Sequence, residues 1–135
     1  MSDRIFLDSN ILVYLSGGAG KKLDTIEKLL LTETSKIISA QVLNEFCNVS
    51  LRKLKKTPDE VIFKVNHFLK FFELFPANSD TIHKALQLKK KYNYSYYDSL
   101  ILASSLESKC TILYSEDLHN GQLIDGKLTI INPFI

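Results

Sequence analysis

Short apolar runs that end abruptly in polar residues, each followed by apolar residues at helical spacing, constrain this chain more than any other feature. The first run is Ile5-Phe6-Leu7, which stops at Asp8-Ser9-Asn10 and resumes with Ile11, Leu12 and Leu15. A brief unbroken apolar run reads as a buried strand, and the spacing after it reads as a helix. Lys36-Ile37-Ile38-Ser39, Leu74-Phe75, Thr111-Ile112-Leu113-Tyr114 and Leu128-Thr129-Ile130-Ile131 are further strands of this kind. Helices are expected at about 21–32, 41–54, 57–72, 80–92 and 95–106, with glycines 17, 18 and 20 stopping the first helix. Strands separated by helices predict an α/β fold, with a mostly parallel central sheet of four to five strands covered on both faces. In such a sheet ligands sit outside the carboxyl ends of the strands, which is where Asp8 falls.

Helix faces follow from the same spacing. Thr57-Pro58-Asp59-Glu60 starts a helix: Thr57 caps it, Pro58 fits its first turn, and Glu60 can reach back to close a capping box. Val61, Ile62, Val65, Phe68, Leu69 and Phe72 then form a stripe wider than a lone helix needs, expected first to pack the core, with a partner as the other use for part of it. On the 80–92 helix, Ile82, Ala85 and Leu86 are expected to face inward.

At 135 residues the chain is expected to be one domain with one core. A net charge of +2 gives no direction to its electrostatics. Basic residues gather at Arg52, Lys53, Lys55 and Lys56 and at Lys89-Lys90-Lys91, as solvated helix faces or as contacts to a phosphate backbone. Cys47 and Cys110, the only cysteines, read as buried thiols of a reduced protein. With no signal peptide and no stretch of transmembrane length, a cytoplasmic protein without membrane contact is expected. No zinc-like cysteine and histidine spacing, phosphate loop, dinucleotide fingerprint or Ser/His/Asp arrangement is present.

Four acids stand out by position. Asp8 and Asp117 each follow a strand. Val42, Glu45 and Val49 share one helix stripe, so Glu45 faces inward. Asp98 shares its stripe with Ile101, Leu102 and Ser105. Inward carboxylates are costly unless paired or bound to metal, and no lysine or arginine falls on matching inward positions. Plainer uses exist: Asp8 as a helix cap, Ser95 and Asp98 as a capping box, Asp117 in a turn, Glu45 reaching to water. Together, though, four carboxylates and no histidine suit a hard cation such as Mg²⁺ or Mn²⁺. The chemistry this predicts is metal-assisted hydrolysis of a phosphodiester. His67, His83 and His119 are scattered, and His119 reads as a surface histidine.

Phe6-Leu7-Asp8-Ser9-Asn10 resembles the opening motif of PIN-domain proteins. Ser39-Ala40-Gln41-Val42-Leu43-Asn44-Glu45-Phe46 is similar to their second motif and Ser95-Tyr96-Tyr97-Asp98-Ser99-Leu100-Ile101-Leu102-Ala103 to their third. Tyr114-Ser115-Glu116-Asp117-Leu118, followed by Gly121 and Asn132-Pro133-Phe134, is similar to the fourth region. The whole chain resembles the small VapC-type toxins of toxin–antitoxin pairs. The resemblance implies a three-layer α/β/α fold and a Mg²⁺- or Mn²⁺-dependent ribonuclease. By position, Asp8, Glu45, Asp98 and Asp117 would be its catalytic and metal-binding acids. Asn10 and Ser115 would be polar supports, with Glu116 an alternative to Asp117. The resemblance also implies a homodimer and a cognate antitoxin. Tyr92, Tyr94, Tyr96 and Tyr97, beside Lys89–Lys91, suit stacking on single-stranded RNA or ordinary packing. A non-toxin RNA-processing nuclease and a non-catalytic scaffold that binds RNA or protein are the alternatives.

Overall fold

Ile5, Phe6 and Leu7 are sealed from solvent, and the strand they form, β1 (Arg4–Leu7), lies inside the sheet with neighbours on both sides. The computed structural model describes residues 3–135. After β1 come α1 (Ser9–Gly17), α2 (Gly20–Leu30), β2 (Ser35–Ser39), α3 (Ala40–Arg52), α4 (Pro58–Phe71) and β3 (Glu73–Phe75). The chain continues through α5 (Ser79–Tyr92), α6 (Tyr96–Glu107), β4 (Ile112–Tyr114), β5 (Leu123–Ile124) and β6 (Leu128–Ile131). The sheet order is β3-β2-β1-β4-β6-β5, and every pairing is parallel except β5 with β6.

The sheet therefore has six strands, one more than the sequence marks. The addition is β5, two residues long and paired antiparallel at the edge. Leu123-Ile124 is too short to show a period. Its turn is legible: Asp125 and Gly126 both take positive φ, 51° and 67°, and the Lys127 amide closes the turn on the Ile124 carbonyl at 3.0 Å. Positive φ at both central positions is the hairpin turn that Asp-Gly favours.

Strand order and handedness place the layers. From β1 the chain steps outward to β2 and then β3 through α1–α4. It then crosses back through α5 and α6 to β4, on the other side of β1. Right-handed crossovers put these two helix groups on opposite faces. The packing agrees: α1 touches α2 and α3, α3 touches α4, and α5 lies along α6. The result is an α/β fold with helices flanking a mostly parallel sheet. It also makes the gap between β1 and β4 the point where the order reverses, the expected seat of a ligand.

Two helix faces differ in detail from the spacing. On α5 the inward residues are Thr81, Ala85 and Leu88, whereas Ile82 and Leu86 are about half exposed. Two stripes were available on this helix, and the buried one is closed by a polar contact, the Thr81 hydroxyl donating to Glu107 of α6. On α4 only Val61 and Phe68 are buried, while Ile62, Phe63, Leu69 and Phe71 are exposed. The expected start of α4 is present, with the Thr57 and Glu60 bonds at 3.2 and 3.1 Å. Among the described residues, no helix is long and apolar enough to cross a membrane.

Candidate functional site

The parallel ladder between β1 and β4 runs straight into the acids. The Asp8 amide donates to the Tyr114 carbonyl at 3.1 Å, so Asp8 and Ser115 are held side by side where both strands end. Asp8 is buried at 4% exposure. Its carboxylate accepts from the Ser9 amide at 2.7 Å, the Ser115 hydroxyl at 2.7 Å and the Asn10 amide at 3.4 Å. It does cap α1, but it does more than that, because Glu45 and Asp117 lie near it.

Asn10 joins Asp8 to Asp117. Its Nδ2 also donates to Asp117 at 3.2 Å, while its Oδ1 accepts from the Glu116 amide at 3.2 Å. The Asp117 amide in turn donates to the Ser115 hydroxyl at 3.2 Å. On the other flank, the Ser9 hydroxyl donates to Glu45 at 2.9 Å. Glu45 and Asp117 raise the pKa of Asp8, but burial raises it more, and the Ser115 and Ser9 bonds oppose both. The outcome is a carboxyl pushed up to about 6. Of the expected acids, the structure therefore brings Asp8, Glu45 and Asp117 into one electrostatic neighbourhood.

Asp98 and Glu116 sit differently. Asp98 is half-buried in the first turn of α6. The Ser95 hydroxyl accepts from its amide at 3.1 Å, but the reciprocal half of a capping box is missing. Among the described residues, the Asp98 carboxylate bonds to nothing. Its helix end is tied to the cleft through Gln41, whose Nε2 donates to Glu45 and to the Tyr97 carbonyl, both at 2.9 Å. Glu116 is answered by a cation: Lys22 pairs with it at 2.8 Å and Tyr14 donates to it at 3.0 Å. Lys22 also lies over the Tyr14 and Phe134 rings, at 4.6 and 5.0 Å from their centroids. Glu116 thus faces away from the sharing that Asn10 gives to Asp117.

Ser9, Gln41, Lys22 and Tyr14 were not singled out in the sequence. Ser9 was visible within Asp8-Ser9-Asn10, and Gln41 stands four residues before Glu45, on the same helix face. Nothing in the sequence links Lys22 to Glu116. The tyrosines divide. Tyr92 donates to Asp125 and Tyr94 to Gln122, tying the end of α5 to the β5–β6 hairpin. Tyr96 and Tyr97 pack edge to face, with Tyr97 the exposed member. Lys91 pairs with Asp125, and His119 lies on the surface. The Arg52, Lys53, Lys55 and Lys56 cluster is exposed throughout.

A hard divalent ion suits this donor set. All the side chains offer oxygen ligands, and among the described residues none of Asp8, Glu45, Asp98 and Asp117 is paired with a cation and the buried Oε1 of Gln41 beside Glu45 lacks a donor. As they stand, no three acid, histidine or cysteine side chains among the described residues are gathered around one point. An ion held by one or two carboxylates, with water and substrate completing its shell, is the usual habit of Mg²⁺.

A parallel sheet whose order reverses beside a buried carboxylate, with further acids at neighbouring strand and helix ends, defines an α/β protein with an acidic cleft. Residues 5–119 match the PIN domain family model, and the chain belongs to that family. A search of curated proteins finds no match. Solved structures share the fold. A toxin–antitoxin complex from Klebsiella pneumoniae is 18% identical, with a TM-score of 0.72 over 96% of this chain and 97% of that one. VapC20 of Mycobacterium tuberculosis, described as a sarcin–ricin loop cleaving toxin, is 17% identical, with a TM-score of 0.70 over 84% and 89%. VapBC2 of Rickettsia felis, bound to a promoter DNA fragment, is 18% identical, with a TM-score of 0.69 over 94% and 96%.

Proposed function

We propose that this chain is a Mg²⁺- or Mn²⁺-dependent endoribonuclease acting as the toxin of a toxin–antitoxin pair. The observation that carries the reading is Asp8: a buried carboxyl that no cation among the described residues answers, sharing Asn10 with Asp117 and Ser9's neighbourhood with Glu45, at the reversal point of the sheet. Family membership and the VapC-like fold support it.

Asp8 and Asp117 would hold the ion, with Glu45 and Asp98 completing the acidic set. A bound ion of this kind makes water a stronger nucleophile and steadies charge on a phosphoryl group. The chain's own residues set the geometry. Ser115 and Asn10 fix one Asp8 oxygen and the Ser9 amide fixes the other, while Asn10 fixes Asp117 from the same side-chain amide. Ser9 and Gln41 hold the two Glu45 oxygens. Asp98, whose carboxylate has no bond among the described residues, would be the one left to orient the attacking water. Tyr97, exposed and next to Asp98, suits stacking on an unpaired base.

An antitoxin and a second copy of the chain are the protein partners of this reading. The exposed apolar residues of α4 supply surface for them. The cytoplasm is the compartment that the free thiols and the RNA substrate suit.

The test is cleavage of cellular RNA by purified protein with Mn²⁺, with Asp98→Asn beside it. Because the Asp98 carboxylate makes no bond among the described residues, that variant should melt like the parent yet cut at least about a hundredfold more slowly. Undiminished cleavage by a pure Asp98→Asn preparation would reject the nuclease. Growth arrest on induction, absent in the same variant, tests the toxin role.

A further inference from the structure

We propose that Gln41 is a positioning residue that sets the separation of the two sides of the acidic cleft. The inference rests on the nuclease reading above. Glu45 stands on α3 and Asp98 on α6, and these helices lie on opposite faces of the sheet. Their N-terminal ends meet only over its carboxyl edge. There the Gln41 amide donates to the Glu45 carboxylate and to the Tyr97 carbonyl, both at 2.9 Å. Among the described residues, no other hydrogen bond joins a helix of one layer to a helix of the other.

The amide has one workable orientation. Both partners are acceptors, so turning it over would set its oxygen against two oxygens. Holding it this way leaves Oε1 buried without a donor. A buried acceptor without a partner is unfavourable, so the two donated bonds dominate the placement. Tyr97 immediately precedes Asp98, and fixing its carbonyl fixes the first turn of α6 from which the Asp98 carboxylate projects. The Glu45 bond does the same for the facing acid. One side chain thereby sets the span that an ion and a phosphate must fit.

The function of Gln41 is thus distinct from ligation or proton transfer. Its loss should loosen the acids without removing any, and displacement of catalytic groups by about 1 Å can cost on the order of a hundredfold in rate. A higher concentration of metal should draw loosened carboxylates back together, which a merely structural defect would not permit.

The experiment compares Gln41→Met, which keeps length but neither donor, with the parent and with Asp98→Asn. Mn²⁺ binding without RNA is read by calorimetry. Cleavage of a single-stranded RNA oligonucleotide that the parent cuts is then followed across Mn²⁺ concentrations, and melting is recorded without metal. Expected for Gln41→Met are at least about tenfold weaker Mn²⁺ binding, a matching rise in half-saturating Mn²⁺, and recovery of kcat at high Mn²⁺. Asp98→Asn should not recover. Parent-like Mn²⁺ binding and cleavage in Gln41→Met overturn the positioning role. Lost activity that tracks lowered melting and ignores added Mn²⁺ overturns it as well. A parent that neither binds Mn²⁺ nor cuts RNA fails at the earlier step and removes the nuclease reading with it.

Discussion

At Asp8, the placement that suits an ion also leaves the metal-free protein less stable. Its carboxyl is raised to about 6 from an ordinary 3.8, chiefly by burial. A group whose folded pKa lies above its unfolded value favours folding while protonated. Its contribution is complete below pH 4 and disappears as pH rises through about 6. At neutral pH the ionised form therefore weakens the metal-free fold by up to about 3 kcal/mol. Asp8→Asn should raise the melting temperature of metal-free protein at pH 7 and change it much less at pH 4.5. Thermal melts across pH measure this, and an equal effect at both pH values would contradict it. Asp8, Asn10 and Ser115 were legible because each abuts a strand end. Lys22 was not, because its partner Glu116 lies 94 positions away and only tertiary structure joins them.

The elements repeat the lesson on a larger scale. Helix α6 carries buried Ser99, Ala103, Ser104 and Ser105, and α5 lies along it. Which stripe of α5 turns inward depends on that surface, so Ile82 and Leu86 misled while Thr81, Ala85 and Leu88 are the packed residues. Leu88→Ala should cost about 2–4 kcal/mol, and Ile82→Ser less than about 0.5 kcal/mol, in urea unfolding. The reverse ranking would mean that the other stripe is the buried one. The hairpin has its own anchor. Lys84 and Lys91 pair with Asp125 at 2.7 and 3.0 Å, and Tyr92 donates to it at 3.1 Å. The Lys84 bond is the main reason that the Asp125 carboxyl falls to about 2. A lowered carboxyl stabilises the fold above its unfolded value near 4, and that support is lost as pH falls through about 2. Asp125→Asn should therefore lose on the order of 1–2 kcal/mol at pH 7, and the gap to the parent should close near pH 2. The turn itself was readable from Asp125-Gly126, but β5 was not.

Across the whole molecule, strand order was the least legible property. Alternating strands and helices announce a parallel sheet, but only the paired register shows that β1 lies between β2 and β4 and so gathers acids from distant segments. The same order leaves α4 packed against α3 and facing outward beyond it. Between α1, α2 and α4 lies a cleft of about 490 Å³ lined by Leu15, Leu30, Phe71 and Phe72, with Lys36 and Lys64 beside them. An apolar floor with basic residues suits a segment that carries apolar anchors and acidic neighbours, and the antitoxin proposed above is the partner such a surface fits. Phe71 is 61% exposed, so replacing it should not disturb the core. Phe71→Asp should weaken antitoxin binding at least about tenfold, mostly through faster dissociation, while RNA cleavage by the isolated chain stays at the parental rate. In cells the variant should then arrest growth even when antitoxin is supplied. Unchanged affinity in surface-bound kinetics, with growth still protected, would move the antitoxin off this cleft and leave the nuclease reading untouched.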